Sequence, residues 1–177
     1  MKAKELKIIF ITGASGTGKT TVVNLLEEKY KDSDKRVFLS LDNHVVFPSV
    51  EVMIKEKGSI EKWQEDAVSG WIEKSLERHK DSYQIIFEGS VRSLFIISAC
   101  KKLGIENYTM VLLDCDNNTM EERLKSRGQS HLFTKGMSNY LNYLRKEAQD
   151  LGLTIIQTEG KRKEEVFFEL ENSIVPS

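Results

Sequence analysis

The feature that most constrains this chain's fold is a glycine-rich run between an apolar segment and an amphipathic one. Residues 8–12 read Ile-Ile-Phe-Ile-Thr, and residues 13–20 read Gly-Ala-Ser-Gly-Thr-Gly-Lys-Thr. A strand that runs into such a loop and then into a helix directs backbone N–H groups and the positive helix end at one point. Glycine is needed there because a Cβ would block the close approach of a ligand. The pattern is typical of a phosphate-binding loop, and we expect contacts from Gly13, Ala14, Ser15, Gly16, Thr17, Gly18, Lys19, Thr20 and Thr21.

Two side chains at the end of this loop suit a nucleoside triphosphate with Mg²⁺. Lys19 places a movable positive charge within reach of the β- and γ-phosphates, which makes it a candidate catalytic residue. The hydroxyl of Thr20 is an oxygen ligand of the kind that Mg²⁺ accepts while it bridges the same phosphates. We therefore expect ATP and Mg²⁺ as cofactors, and the choice between ATP and GTP stays open.

Short apolar runs alternate along the chain with longer amphipathic ones. The apolar runs are rich in β-forming residues and nearly continuous, as expected of parallel strands covered on both faces. This alternation predicts a three-layer α/β/α fold with a five-stranded, mostly parallel sheet and about six helices. The predicted strands are 6–12, 37–42, 83–88, 108–115 and 153–158, and the predicted helices include 19–31, 60–80, 93–103, 119–127 and 137–151.

The length favours one domain over residues 1–177, since 177 residues fall within the usual range of a single domain and no Gly/Ser-rich linker interrupts them. The least regular stretch is residues 43–59, which contain Pro48 and Gly58 and follow the second predicted strand. We expect this stretch to be a substrate flap.

The overall charge gives no reason to expect nucleic acid or a membrane surface as a partner. The chain has 26 basic and 27 acidic residues and a formal net charge of −1, so no global field attracts polyanions. No run approaches the ~20 apolar residues that span a bilayer. Cys100 and Cys115 lie in apolar stretches and make no disulfide framework, which favours a reducing compartment. We therefore expect a cytoplasmic protein.

The remaining motifs narrow the class of phosphate-loop protein. A regulatory GTPase needs Asp-x-x-Gly after the third strand and Asn/Thr-Lys-x-Asp later, but residues 87–90 read Phe-Glu-Gly-Ser and residues 134–137 read Thr-Lys-Gly-Met. An AAA-type motor needs a longer chain with an arginine-bearing partner interface. We therefore expect neither a GTPase switch nor an AAA-type motor.

The class of protein is indicated by the order in which several motifs follow one another along the chain. They are the phosphate loop, Asp42, the run Glu88-Gly89-x-x-Arg92, and the pair Arg123 and Arg127. That order resembles the small-molecule and nucleotide kinases. These include shikimate, gluconate and adenylylsulfate kinases, chloramphenicol phosphotransferase and adenylate kinase. The resemblance implies the sheet order 2-3-1-4-5, a short arginine-bearing lid at about 127–134, and a monomer or homodimer that binds a small-molecule acceptor.

The same resemblance suggests roles for three polar residues at strand ends. An aspartate at the place of Asp42 contacts the acceptor hydroxyl and takes its proton in several such kinases; alternatively, it caps the loop or contacts Mg²⁺ through water. Glu88 stands where Asp is more common, and either holds a Mg²⁺-bound water or orients the acceptor. Arg92 binds an anionic acceptor or its phosphate or, alternatively, simply pairs with Glu88.

Arg123 and Arg127 are four residues apart and therefore share one helix face. By the resemblance, they enter the lid and stabilise the charge on the transferring phosphoryl group. The alternative is that they form weak surface ion pairs with Glu121 or Glu122. Arg145, on the next predicted helix, is a further candidate to face the lid.

Two functions of different class remain. The first is an ATP-dependent phosphotransferase that moves the γ-phosphoryl to a hydroxyl or phosphate acceptor. In this hypothesis Lys19, Asp42, Arg123 and Arg127 are catalytic, and Asp42, Glu88 and Arg92 bind the acceptor. The second is a nucleotide-binding regulatory protein with slow ATPase activity. The second function needs no acceptor carboxylate, so replacing Asp42 distinguishes the two.

Overall fold

The computed structural model describes residues 6–33, 35–41 and 48–174, and its centre is one parallel sheet. The strands are β1 (Lys7–Thr12), β2 (Arg36–Ser40), β3 (Gln84–Gly89), β4 (Tyr108–Asp114) and β5 (Thr154–Gln157). Their order is β2-β3-β1-β4-β5, and each neighbouring pair is parallel. The predicted five-stranded sheet and its order 2-3-1-4-5 are therefore confirmed.

Seven α-helices accompany the sheet over the described residues, against about six predicted. They are α1 (Lys19–Lys29), α2 (Val50–Lys57), α3 (Ile60–Arg78), α4 (Ser93–Leu103), α5 (Asn117–Ser126), α6 (Lys135–Asp150) and α7 (Lys163–Ile174), with a 3-10 turn at Ser130–Leu132. None of the helices in this part of the chain is long and apolar enough to cross a membrane.

Alternate residues of the central strand β1 face the two helical layers. Ile9 and Ile11 pack with buried residues of α1 and α7 on one face. Ile8 and Phe10 pack with buried residues of α3 and α4 on the other. A third cluster joins Leu112 of β4 to α5 and α6. Because side chains alternate along a strand, this packing explains why the strands are apolar throughout.

The prediction that residues 43–59 are irregular is wrong for residues 50–57, which form α2, while their role as a substrate flap stays a prediction. The helix begins after Ser49, whose side chain accepts a hydrogen bond from the Val52 N–H, and ends at Gly58 with φ of +81°. Both are favourable helix caps. The sequence does not indicate this helix, because Met53 is its only buried residue. An apolar stripe of helical period is therefore lacking. Residues 43–47 of the flap lie outside the described residues.

Candidate nucleotide-binding site

The backbone between β1 and α1 forms an open cradle at the N-terminus of α1. Gly13 has φ of +153°, and a Cβ on it would lie 2.4 Å from the Leu113 carbonyl oxygen and 2.7 Å from Thr17 Oγ1. Gly18, the N-cap of α1, has φ of +96°. The Thr17 hydroxyl donates to the Ala14 carbonyl at 2.9 Å and closes the loop. The geometry therefore requires glycine and leaves backbone N–H groups available at a helix N-terminus, which suits phosphate.

Lys19 is held against the wall of this cradle. Lys19 is only 6% exposed. Its Nζ donates to the Ala14 carbonyl at 3.1 Å and to Ser90 Oγ at 3.2 Å. Ser90 follows β3 directly. The ammonium therefore lies at the carboxyl edge of the sheet, where ligands bind in open parallel sheets.

Thr20 and Glu88 meet beside the lysine. Glu88 is 5% exposed and is the residue of β3 paired with Ile11 of β1. Its Oε2 lies 3.5 Å from Thr20 Oγ1. A hydroxyl and a carboxylate are oxygen ligands of the type that Mg²⁺ prefers, and the donor set of this corner therefore fits the ion.

Arg123 joins the phosphate loop to the end of β5. Nη1 donates to Thr158 Oγ1 at 2.8 Å, and Nη2 donates to the Thr158 carbonyl at 2.8 Å. Nη1 also lies 3.3 Å from the Gly16 carbonyl oxygen and 3.4 Å from that of Thr17. The sequence predicted a side chain delivered to the phosphoryl group. The contacts described show a guanidinium that braces the loop's own backbone, and the role of Arg123 at the phosphoryl group stays a prediction.

Arg127 borders a cavity of about 230 Å³ next to the loop. It is the C-cap residue of α5, and its Nη2 lies 3.5 Å from Thr21 Oγ1. Gly18, Arg123 and Lys161 also line the cavity. The space is therefore open to the loop and cationic, which suits a ligand that carries phosphate groups.

Arg92 contacts a cluster at the start of α4, and it does not pair with Glu88 as the alternative reading predicted. Its Nε lies 3.5 Å from Glu147 Oε1, and Nη2 donates to the Tyr143 hydroxyl. Glu147 Oε2 accepts from the Ser93 N–H at 2.5 Å and the Leu94 N–H at 3.3 Å. A carboxylate at a helix N-terminus is favourable. The sequence does not indicate this role of Glu147, because nothing in it shows that α6 lies against the start of α4.

Arg145 does not face the lid, so that prediction is wrong. It forms a two-pronged ion pair with the fully buried Asp114, from Nε to Oδ2 at 2.5 Å and from Nη2 to Oδ1 at 3.0 Å. Hydrogen bonding to Asp114 raises the pKa of Arg145. The pair fixes α6 against the end of β4 and was missed because Asp114 reads as the end of an apolar strand.

Asp42, the predicted acceptor carboxylate, lies outside the described residues. The predicted lid, residues 127–134, is the short connection between α5 and α6, and it contains the 3-10 turn at Ser130–Leu132. The structure thus brings Lys19, Thr20, Glu88, Arg123 and Arg127 around one loop and places Arg92 in a separate cluster.

The family model described as an AAA domain matches residues 9–140, which is 132 of the 177 residues. The chain belongs to this family. That the chain is not an AAA-type motor stays a prediction. Comparison with curated proteins finds no significant match.

Solved kinases share the fold. The shikimate kinase of Acinetobacter baumannii, in complex with shikimate, is 16% identical with a TM-score of 0.53, covering 95% of this chain and 93% of that one. A gluconokinase from Sinorhizobium meliloti 1021 is 16% identical with a TM-score of 0.57, covering 94% and 90%. An unliganded sugar kinase from Janibacter sp. HTCC2649 is 16% identical with a TM-score of 0.63, covering 95% and 94%. The chain therefore has the phosphate-loop kinase fold.

Proposed function

We propose that this protein is an ATP-dependent phosphotransferase that moves the γ-phosphoryl to a hydroxyl or phosphate on a small molecule. The observation that carries the proposal is the meeting of Lys19, Thr20 and Glu88 at the mouth of the phosphate loop. A phosphate-binding cation, a metal-ligand hydroxyl and a carboxylate converge there at the carboxyl edge of the sheet. The shikimate, gluconate and sugar kinases that share the fold support the same class.

The donor side uses residues of the loop. The backbone N–H groups of residues 13–21 bind the phosphates, and Lys19 neutralises charge on the transferred group. Thr20, with Glu88 behind it, would hold Mg²⁺. A Mg²⁺ ion held there would supply positive charge that stabilises the phosphates during transfer. The cavity at Arg127 would take the rest of the nucleotide. Arg127 would reach the phosphates, and Arg123, which bonds to the loop backbone and to Thr158, stays a candidate for the same charge stabilisation.

In the reaction, the acceptor oxygen attacks the γ-phosphorus, the bond from that phosphorus to the bridging oxygen breaks, and ADP leaves. We assign the acceptor proton to the carboxylate of Asp42, on the sequence resemblance alone. Glu88 and Arg92 would contribute to acceptor binding. The guanidinium carbon of Arg92 lies 4.7 Å from the ring centroid of Phe95 and 4.6 Å from that of Tyr143. Because Arg92 also contacts Glu147, binding an acceptor would replace part of that contact. Catalysis would come from alignment and electrostatics.

The test is release of ADP from Mg-ATP against a panel of nucleosides, nucleoside monophosphates, sugar acids, alcohols and cofactor precursors. Lys19→Ala is the blank, and Lys146→Ala is its matched control, because Lys146 is exposed and pairs only with its helix neighbour Asp150 among the contacts described. We expect acceptor-dependent ADP from wild type and Lys146→Ala, with loss in Lys19→Ala. Asp42→Asn should lower turnover by about 100-fold or more while ATP still binds. Acceptor-independent ATP hydrolysis that is insensitive to Asp42→Asn would instead support a regulatory nucleotide-binding protein.

A further inference from the structure

Ser90 connects three parts of the site that are distant in sequence. Its hydroxyl donates to the Gly13 carbonyl at 3.0 Å and accepts from Lys19 Nζ at 3.2 Å. Its own carbonyl accepts from the Tyr140 hydroxyl at 3.0 Å. The residue therefore links the start of the phosphate loop, the loop lysine and α6.

The directions of these hydrogen bonds are fixed by the chemistry of a hydroxyl. A serine has one O–H proton, and here that proton is directed at Gly13, so its lone pairs face the ammonium. Tyr140 in turn fixes the backbone from which the hydroxyl projects. The oxygen is thus oriented as an acceptor before any ligand arrives.

We propose that Ser90 is a positioning residue that orders Lys19 for phosphate binding, with Tyr140 as its support. This inference rests on the proposed function of the loop. A lysine side chain loses rotamer freedom when it is ordered, and that loss weakens ligand binding unless the protein has already imposed it. Among the contacts described, Lys19 also donates to the Ala14 carbonyl, which belongs to the loop itself. Ser90, directly after β3, is a contact from outside the loop, and its bonds to Gly13 and Tyr140 do not involve the ligand.

A double-mutant cycle on Mg-ATP affinity tests the inference without any acceptor. By calorimetry, we expect Ser90→Ala to weaken binding about three- to tenfold when Lys19 is present, as one hydrogen bond would predict. In the Lys19→Ala background, the same substitution should change affinity less than about twofold, because Ser90 acts through the lysine. Ser90→Thr, which keeps a hydroxyl, should restore most of the loss. Tyr140→Phe should show a smaller loss with the same dependence on Lys19.

The control is Ser173→Ala on the exposed surface of α7, where the hydroxyl bonds only within its own helix among the contacts described. Equal losses from Ser90→Ala in both backgrounds, or no loss in either, would overturn the inference. If wild type binds no Mg-ATP, the proposed function fails, and the Lys19 ammonium signal in nitrogen-edited NMR decides the inference separately. We expect ammonium proton exchange in the free protein to be about threefold or more faster in Ser90→Ala. Unchanged exchange would overturn the inference.

Discussion

Replacing Arg123 by Met tests how the phosphate loop is held, because this one side chain joins the loop to the end of β5. Methionine keeps an unbranched stem and removes the guanidinium. The structure shows what is lost: two hydrogen bonds of 2.8 Å to Thr158 and two longer contacts of 3.3 and 3.4 Å to the carbonyls of Gly16 and Thr17.

The two short bonds set the magnitude. Hydrogen bonds from a charged donor contribute about 1.5–3 kcal/mol each, and water replaces part of this because Arg123 is half-buried. Thr158 is only 2% exposed, so its carbonyl loses a donor in a place where water is scarce. We expect Arg123→Met to lower the free energy of unfolding by about 2–4 kcal/mol. Arg123→Lys keeps the charge but not the fork, and should lose about half as much.

The assay is urea unfolding followed by tryptophan fluorescence, with Mg-ATP affinity measured on the folded variants. Affinity should fall about tenfold or more in Arg123→Met, since about 1.4 kcal/mol of loop distortion suffices. Lys125→Met, two residues away and exposed, is the matched control and should stay within about 0.5 kcal/mol of wild type. An Arg123→Met variant as stable as Lys125→Met, with unchanged affinity, would refute the bracing role.

Three further predictions concern the loop, the thiols and the α1–α7 contact. Gly13→Ala should lower the free energy of unfolding by about 3 kcal/mol or more, because its Cβ would meet the Leu113 backbone. Gly70→Ala in α3 meets nothing within 4 Å and should raise the free energy of unfolding by about 0.5–1 kcal/mol. Similar unfolding midpoints in urea for the two variants would contradict the loop geometry. Burial raises the pKa of Cys100 to about 12 and that of Cys115 to about 11, so both thiols should resist a disulfide reagent at pH 8 until urea unfolds the chain; rapid reaction in native buffer would argue against this burial. Desolvation favours the neutral form of Glu171, but hydrogen bonds from Lys29 and Tyr30 outweigh it and lower the pKa of this carboxyl. The charged Glu171 therefore stabilises the fold fully above the unfolded-state pKa of about 4.3, and this stabilisation is lost as the pH falls through the lower pKa of the folded state. Glu171→Gln should therefore unfold at lower urea than wild type at pH 7, with the difference narrowing near pH 3; a constant difference would exclude this charge effect.

The sequence was sufficient for the sheet because each strand is a continuous apolar run bounded by polar residues. It was less informative for helices that bury little. In α7, Val166, Leu170 and Ile174 recur every four residues and are buried, but the exposed Phe168 beside them blurs the helical stripe. In α2 a single buried residue left no stripe at all.

The phosphate loop could be predicted because its chemistry depends on residues adjacent in the chain. The braces of the loop could not, because they depend on pairing across the sheet. Nothing near Ser90 in the sequence indicates a contact with Lys19, 71 residues away. The two predicted arginines illustrate the same limit: their spacing placed them on one helix face, but only the structure shows that Arg123 bonds to Thr158 at the end of β5.

The strand order explains where the braces come from. β1 lies at the centre of the sheet, with β3 on one side and β4 on the other. The loop after β1 is therefore flanked by the end of β3, which supplies Glu88, and by Ser90 directly after it. On its other side lies the end of β4, whose Leu113 carbonyl oxygen would be 2.4 Å from a Cβ on Gly13. The helix that follows β4 carries Arg123 back across to the loop. A central phosphate strand thus lets both neighbouring strands fix the donor site, and a substitution at either flank should weaken nucleotide binding although neither flank contains the phosphate-binding motif.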